Sequence, residues 1–405
     1  MSIVRAFRWN DQDYFYSPDH HKIFSSSDIP ALLFRSTENF PGDVHIDTLY
    51  LNLSEGCNLN CEYCFNPPKD RFNSRIMSHE IARGAVMKLA EWYSEHPTKQ
   101  ANIVFFGGEP LLNREVLEYV IHFSQEWGRE FGIPFSYSIS TNATLLTTRD
   151  IDLFNRENVT LWVSIDGPAE LHDRFRHFRN GSGSHAIAIK NALYALEILG
   201  PDRVGVRATL PTGVRELSRI IEYFASLGFR TISVKAVDSR TNNHLSLREQ
   251  NLEIAAINLD KCAAELLRWI PHGLKCYPFD QDMISLKTGH VDRFVCSAGS
   301  GSLTVDTEGW LYPCHRFVGN PRYRLGHARG EICLESCRDF AALDISYLTI
   351  CNECWARKFC LGSCPAISAT MGNALGYPDH QTCEQKEFYA LIALKCAVAQ
   401  GLIYK

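Results

Sequence analysis

Apolar residues recur along this chain with two periods, and the two alternate. Short runs rich in β-branched and aromatic residues stand at 47–53, 102–106, 135–139, 159–165, 203–210 and 230–236, which predicts strands. Between and after them the spacing becomes helical. In 79–95, Ile81, Ala85, Leu89 and Trp92 share one face, and Ser78 is placed to cap. Val116, Val120, Phe123 and Trp127 do the same in 113–131, and 185–199, 214–227 and 246–270 complete the series. Strands that alternate with helices predict a parallel sheet, because parallel neighbours need a crossover connection. The expected class is α/β, a partial (β/α)6 TIM-like barrel over 46–275.

The pattern differs at both ends. Residues 1–45 read as a small appendage, with Tyr14–Phe24 as a hairpin whose aromatic arms flank a Pro18-Asp19 turn. Beyond about 275 the alternation stops and glycine, proline and cysteine rise, which predicts a small loop-rich domain over 276–385. Phe388, Leu391, Ile392, Lys395 and Val398 predict a last helix, roughly 384–400, in the closing segment 386–405.

Barrel enzymes keep their chemistry at the carboxyl ends of the strands. Here the polar clusters fall there: a cysteine loop after the first strand, Gly107-Gly108-Glu109-Pro110 after the second, Ser140-Thr141-Asn142 after the third and Ser164-Ile165-Asp166-Gly167 after the fourth. Arg207 and Lys235 lie in the fifth and sixth strands. The 405 residues are 45% apolar and 21% charged, ordinary for a globular protein. A net charge of −5 argues for neither nucleic acid nor anionic membrane as partner. No apolar run reaches bilayer-spanning length, and the first residues lack a signal-peptide core, so a cytoplasmic location is expected.

Fifteen cysteines then demand a reason, since in a reducing compartment clustered thiols are more often metal ligands than disulfides. None lies between Cys64 and Cys262. The first group is Cys57-x3-Cys61-x2-Cys64-Phe65, three thiolates without a fourth nearby. Soft sulfur suits iron–sulfur clusters, and three ligands leave one iron of a [4Fe–4S] cube open. The competing use is a zinc site completed by a distant histidine.

The triad, its aromatic Phe65 and the Gly107-Gly108-Glu109-Pro110 turn resemble the radical S-adenosylmethionine (SAM) superfamily. The resemblance implies that SAM chelates the open iron, is cleaved by one electron, and yields a 5′-deoxyadenosyl radical that abstracts hydrogen. It also implies that Gly107 and Gly108 admit the SAM amine, Glu109 accepts from it, Ser164 and Arg176 hold the carboxylate, and Thr141 and Asn142 position the rest. For Ser164, Thr141 and Asn142, ordinary turn chemistry is the alternative. Ser164–Pro168 followed by His172-Asp173-Arg174-Phe175-Arg176 resembles the branch acting on peptides and proteins.

The later cysteines, Cys296, Cys314, Cys351, Cys354, Cys360, Cys364 and Cys383, resemble the SPASM domain, which carries two auxiliary [4Fe–4S] clusters. The alternative is a zinc ribbon. By that resemblance Cys351, Cys354, Cys360 and Cys383 ligate one cluster and Cys296, Cys314 and Cys364 the other, whose fourth place falls to Cys276, Cys333 or Cys337 or stays open. Three clusters and SAM are then the expected cofactors. Cys262 and Cys396 sit in helical apolar patterns and are expected as buried small hydrophobes.

Within the SPASM enzymes, sulfatase-maturating members usually carry Asp after the cysteine of a Tyr-Pro-Cys segment, as base. This chain reads Tyr312-Pro313-Cys314-His315, which looks more like the maturases that cross-link ribosomal precursor peptides (RiPPs). The expected function is therefore a peptide maturase forming a carbon–carbon or thioether cross-link, with a formylglycine-generating sulfatase maturase as alternative. A precursor peptide (leader plus core) and an external electron donor such as flavodoxin or ferredoxin are the expected partners. Asp166 and His315 are the candidate catalytic groups, and Asp173 and Lys235 further candidate bases. Only 56 residues precede Cys57, too few for a full leader-binding winged helix. The Tyr14–Phe24 hairpin is either a reduced leader site that adds a strand or a sheet edge packed on the barrel.

Overall fold

The computed structural model describes residues 4–10, 12–25, 44–66, 74–95, 97–211, 217–237, 259–289, 296–341, 343, 348–360, 362–370, 372–378 and 380–403. The chain forms two compact units built from separated segments. One comprises 41–207 and 297–342, the other 1–40, 208–296 and 343–405. These units cut across the sequential blocks 1–45, 46–275, 276–385 and 386–405 expected from composition.

The first unit is built on β4 (Thr48–Ser54), β5 (Ala101–Gly107), β6 (Phe135–Thr141), β7 (Thr160–Ser164) and the start of β8 (Val204–Leu210), all parallel. Their order is β8-β7-β6-β5-β4, each strand beside its predecessor in sequence, as the alternating periods require. Helices His79–Glu95, Arg114–Phe131, Thr148–Arg156 and His185–Leu199 make the crossovers. Ser78 does cap the first: its Oγ accepts from Ile81 N at 3.3 Å. Leu49, Leu51 and Leu53 are fully buried, as are Leu161 and Val163, so one face of the sheet meets the helices. The opposite face carries Tyr50, Asn52, Phe106, Ser140, Trp162, Ser164 and Arg207. That polar face is where a substrate must be sought.

The sheet is larger than the six expected strands. β9 (Thr231–Ala236) is the sixth, and β10 (Lys275–Tyr277) pairs parallel with it in the other unit. Beyond β4, β11 (Ser302–Val305) adds in parallel, then β12 (Trp310–Tyr312) and β13 (Gly326–His327) antiparallel. Part of the segment read as a separate loop-rich domain is thus sheet. Strands of two to four residues are too short to show a period.

The second unit opens with a meander: β1 (Arg5–Trp9), β2 (Gln12–Ser17) and β3 (Lys22–Ser25), each antiparallel to the next. The predicted hairpin is β2–β3, with Tyr16 opposite Ile23. Its buried face packs Phe7, Tyr14, Tyr16 and Ile23 against Trp355, Phe359 and Ala390, Leu394 and Ala397 of helix His380–Ala399. The hairpin therefore rests on the C-terminal helix and the 355–359 turn. Lys395 Nζ ties helix to meander, donating to Arg8 O at 2.6 Å and Asp260 Oδ1 at 2.7 Å. Helices Leu217–Ser226 and Leu259–Trp269 are the described parts of the two predicted over 214–227 and 246–270; 214–216 and 246–258 lie outside the described residues. Cys262 and Cys396 are fully buried, as their apolar patterns predicted.

Candidate active site

The cysteine loop leaves the end of β4, and the glycine turn leaves β5 beside it. Gly108 N donates to Ser54 O at 2.7 Å and Glu109 N to Gly56 O at 2.8 Å, so the turn is bonded to the strand end and the loop base. This contact dictates the glycines. A Cβ on Gly107, whose φ is +134°, would stand 2.5 Å from Ser54 O, and one on Gly108 would collide with Gly56 O. Their first use here is to let two stretches of this chain's own backbone touch.

Glu109 is the hub. Its side chain is 1% exposed and caps the short 3-10 turn Pro110–Asn113. Oε1 accepts from Leu111 N at 3.1 Å and Thr141 Oγ1 at 2.6 Å, and Oε2 from Asn142 N at 2.9 Å. Burial raises its pKa, and these donors oppose the rise. A carboxylate accepts about four hydrogen bonds, so roughly one place is left for a ligand amine. Thr141 and Asn142 make the turn contacts weighed for them, and Asn142 also bonds to the cysteine loop. Thr141 Oγ1 accepts from Ala143 N at 3.0 Å and Asn142 Oδ1 from Thr144 N at 2.9 Å, which is turn chemistry. Asn142 Nδ2 also reaches Asn58 Oδ1 at 3.0 Å and Cys57 Sγ at 3.7 Å, which ties β6 to the cysteine loop.

Arg176 approaches the loop from the other side. Its Nη1 lies 3.9 Å from Cys61 Sγ, its Nε donates to Asp166 Oδ2 at 2.9 Å, and its guanidinium stacks 5.2 Å from the Tyr63 ring. Tyr63 OH also donates to Asp166. Asp166 is 3% exposed and already accepts from two side chains, so it positions Arg176 over the cysteines. Ser164 ends β7 two residues earlier, half-buried on the polar face. Asp173 accepts from Ser184 N and His185 N at 2.8 Å each, capping helix His185–Leu199; its position is that of a helix cap.

His172 shows how tightly this corner is packed. It is fully buried, its Nδ1 accepts from Asp166 N at 3.3 Å, and burial, with Arg176 nearby, depresses its pKa to about 3. Below the ordinary value near 6.5 the unfolded chain takes up a proton that folded His172 refuses, so stability falls as pH drops from about 6.5 towards 3. Urea unfolding at pH 7 and pH 5 should show this: His172→Asn lowers stability at pH 7 yet loses about 2 kcal/mol less than the parent between the two pH values. Equal losses would refute the assignment.

His315 lies in the 3-10 turn His315–Phe317 after Cys314. Its ring is 4.8 Å from that of Phe106, 5.6 Å from Phe65 and 5.7 Å from Tyr50. The histidine singled out after the distant Tyr-Pro-Cys segment thus stands beside the aromatic that follows the third cysteine. Lys235 is exposed on β9 in the other unit, 5.6 Å from the Tyr277 ring.

The later cysteines divide between the units. Cys314 belongs with the large sheet; Cys296, Cys351, Cys354, Cys360, Cys364 and Cys383 belong with the meander. Cys351, Cys354 and Cys360 lie close enough that each neighbouring thiolate opposes ionisation of Cys351, whose pKa rises to about 11, mainly through burial. Lys386, half-buried near Cys360 and Cys364, supplies a compensating charge. Cys276 is buried near Cys262 and Cys396, and Cys337 is buried near Cys333.

Do these residues fit an iron–sulfur cluster and SAM? Among the described residues no three His, Cys, Asp or Glu side chains already converge on a metal-sized point. The donor chemistry of the first loop does fit. Burial and then the nearby Glu109, Cys61 and Cys64 push the Cys57 thiol up to about 12, so bare thiolates there repel one another and a cationic iron core would relieve them. Asn142 and Arg176 aim N–H groups at two of the sulfurs, as cluster sites require.

Comparison with known proteins agrees. The sequence profile of the Radical SAM superfamily matches residues 51–224. Radical SAM cyclopropyl synthase TigE of Paramaledivibacter caminithermalis is 25% identical over 84% of this chain and 72% of its own. A cysteine-type anaerobic sulfatase-maturating enzyme of Clostridium novyi is 24% identical over 77% and 85%. Native anSMEcpe with bound AdoMet superposes with a TM-score of 0.71 at 18% identity, covering 87% of this chain and 97% of that one. Streptococcus suis SuiB bound to precursor peptide SuiA gives 0.57 at 15%, covering 84% and 76%. No described helix is long and apolar enough to cross a membrane. The mixed α/β fold with its large parallel sheet is that of radical SAM structures, and residues 51–224 match a radical SAM domain, which implies a [4Fe–4S] cluster and SAM and marks the chain as an enzyme.

Proposed function

We propose that the chain is a peptide maturase that removes hydrogen from a ribosomally made precursor and installs a carbon–carbon or thioether cross-link. The observation that carries this reading is His315, set among Tyr50, Phe65 and Phe106 where sulfatase maturases usually carry a carboxylate. The bound cluster and SAM supply a hydrogen-abstracting 5′-deoxyadenosyl radical. Cys57, Cys61 and Cys64 would hold that cluster, with Asn142 and Arg176 donating towards its sulfurs and Glu109 leaving one acceptor place for the SAM amine. His315 takes the proton released as the new bond forms. The balance is X–H, Y–H, SAM and one electron giving X–Y, 5′-deoxyadenosine, methionine, one proton and one electron. The seven later cysteines, in a SPASM region over 276–385, would hold auxiliary clusters able to accept the electron released with the new bond, and a flavodoxin- or ferredoxin-type partner would donate the electron that starts the reaction. The meander's edge strands β1 and β3 are the places for a leader to add a strand.

The second reading, oxidation of a sulfatase side chain to formylglycine, is favoured by the extent of the superposition on anSMEcpe. Incubating the reconstituted enzyme with a precursor encoded beside its gene, and separately with a sulfatase-derived peptide, decides between them. The proposal expects a loss of two hydrogens from the precursor without a hydrazide-reactive aldehyde. An aldehyde on the sulfatase peptide with an inert precursor would replace it by the second reading.

A further inference from the structure

Arg207 is a part-buried cation for which, among the described residues, no carboxylate provides a partner. It faces the polar side of the sheet in register with Ser164. Its Nη1 donates to Ser140 Oγ at 3.3 Å, and its guanidinium lies 4.6 Å from the centre of the Trp162 ring. The ring lies there because of Gly205: a Cβ on that residue would come within 2.7 Å of Trp162. Glycine, tryptophan and arginine thus form a built platform. A guanidinium has five N–H donors in a planar fork that matches a carboxylate, and the contact to Ser140 uses one. Burial pulls the Arg207 pKa down and Tyr50 opposes this, as for a charge that lacks its counter-ion.

A second, independent observation lies on the same face. Asn52 Oδ1 and Thr304 Oγ1 are buried without hydrogen-bond partners. Asn52 pairs in register with Phe106, and Thr304 with Tyr50. Buried polar atoms are nearly always satisfied, so this face is built for a polar ligand. Depth identifies which one. The cysteine loop, Glu109, Asn142 and Asp166 all follow strand ends, whereas Ser140 and Trp162 lie inside β6 and β7. A group that reaches Arg207 therefore passes below the rim that serves the cofactor.

We propose that Arg207, seated on Trp162 and held by Ser140, receives a carboxylate of the substrate: an acidic side chain or the carboxyl terminus of a peptide. The choice of a peptide rests on the function proposed above; the carboxylate does not.

The test uses reconstituted, SAM-loaded enzyme and three probes: Ac-Gly-Asp-Gly-NH2, its Asn counterpart and succinate. Titration calorimetry should show the Asp peptide bound about tenfold or more tightly than the Asn peptide, a preference lost in Arg207→Met and partly kept in Arg207→Lys. Without ligand, Arg207→Met should melt higher than the parent, since it removes a part-buried charge that has no ion-pair partner among the described residues; a structural arginine would give a lower melt. Arg207-dependent binding of succinate with neither peptide bound supports the carboxylate site and overturns the peptide reading alone. An Asp preference that survives in Arg207→Met overturns the proposal. So does a loss of SAM affinity in that variant, which would give the site to the cofactor's own carboxylate.

Discussion

Cys61→Ala abolishes 5′-deoxyadenosine formation, and Cys57→Ala and Cys64→Ala do the same. The expected loss is at least on the order of a hundredfold in each, read by chromatography after reductive incubation with SAM, because removing a ligand exceeds the 10–100-fold effects typical of outer-shell partners. Three sulfurs hold three irons, and two leave the cluster without the geometry that opens a single iron to SAM. The structure gives a sharper form of the prediction. Asn142 and Arg176 reach Cys57 and Cys61 only with N–H groups, at 3.7 Å and 3.9 Å, so Asn142→Ala and Arg176→Lys should retain iron while changing the cluster's redox potential. Iron content falls by about four per chain in the cysteine variants, from about twelve if three four-iron clusters are present. Substantial turnover in any single cysteine variant would end the radical mechanism for this chain, and zinc in place of iron would end the cluster assignment.

Gly108→Ala carries the largest expected effect on folding of the site. Its Cβ would collide with the carbonyl oxygen of Gly56, at the base of the cysteine loop. Both clashing groups are backbone, held by the Gly108–Ser54 and Glu109–Gly56 bonds, so no rotamer can relieve the contact. Overpacking costs about 1–3 kcal/mol or more, and here the loop must move away from β5 to release it. The variant should melt lower and incorporate less iron at the first site. Gly132→Ala is the control: its φ is also positive, at +71°, but its Cβ would meet nothing within 4 Å. That change costs about 1 kcal/mol of backbone preference. If Gly108→Ala melts no lower than Gly132→Ala, the docking of glycine turn on cysteine loop is not what these glycines serve.

What was legible in the sequence follows from length and period. The six strands appear within a residue or two of their expected limits, because each combines a short apolar run with a following helical stripe. Ser78 and the 79–95 stripe gave that helix to the residue. Helix Thr148–Arg156 was missed although its signal was present: Thr147 and Asp150 form a capping box. The strands of 302–327 were not recoverable, being too short to alternate. In the site, the cysteine, glycine and glutamate motifs marked the right loops. The pairing of Asp166 with Arg176 and Tyr63 was not visible, because it joins residues 10 and 103 positions apart through side-chain geometry alone. Arg207 was noted as a polar residue in a strand, but its importance depends on the absence of a described carboxylate partner, which spacing cannot reveal. His315 shows the converse: a single departure from a familiar segment pointed to a residue that the fold carries to the cysteine loop.

The late strand β11 has a consequence for synthesis. β4 is made early and pairs with β5 on one side, but among the described residues Thr48–Leu51 on its other edge pair with Ser302–Val305, while Ile76 bridges Ser54 at the strand end. While the ribosome adds everything between, a Leu-rich strand keeps an open row of backbone donors and acceptors, the kind of edge that recruits other chains. A nascent chain stopped before residue 302 should therefore be prone to aggregate even though it contains every residue of the cysteine loop and the glycine turn. In the cell, the interval before β11 arrives is when this protein most needs a chaperone.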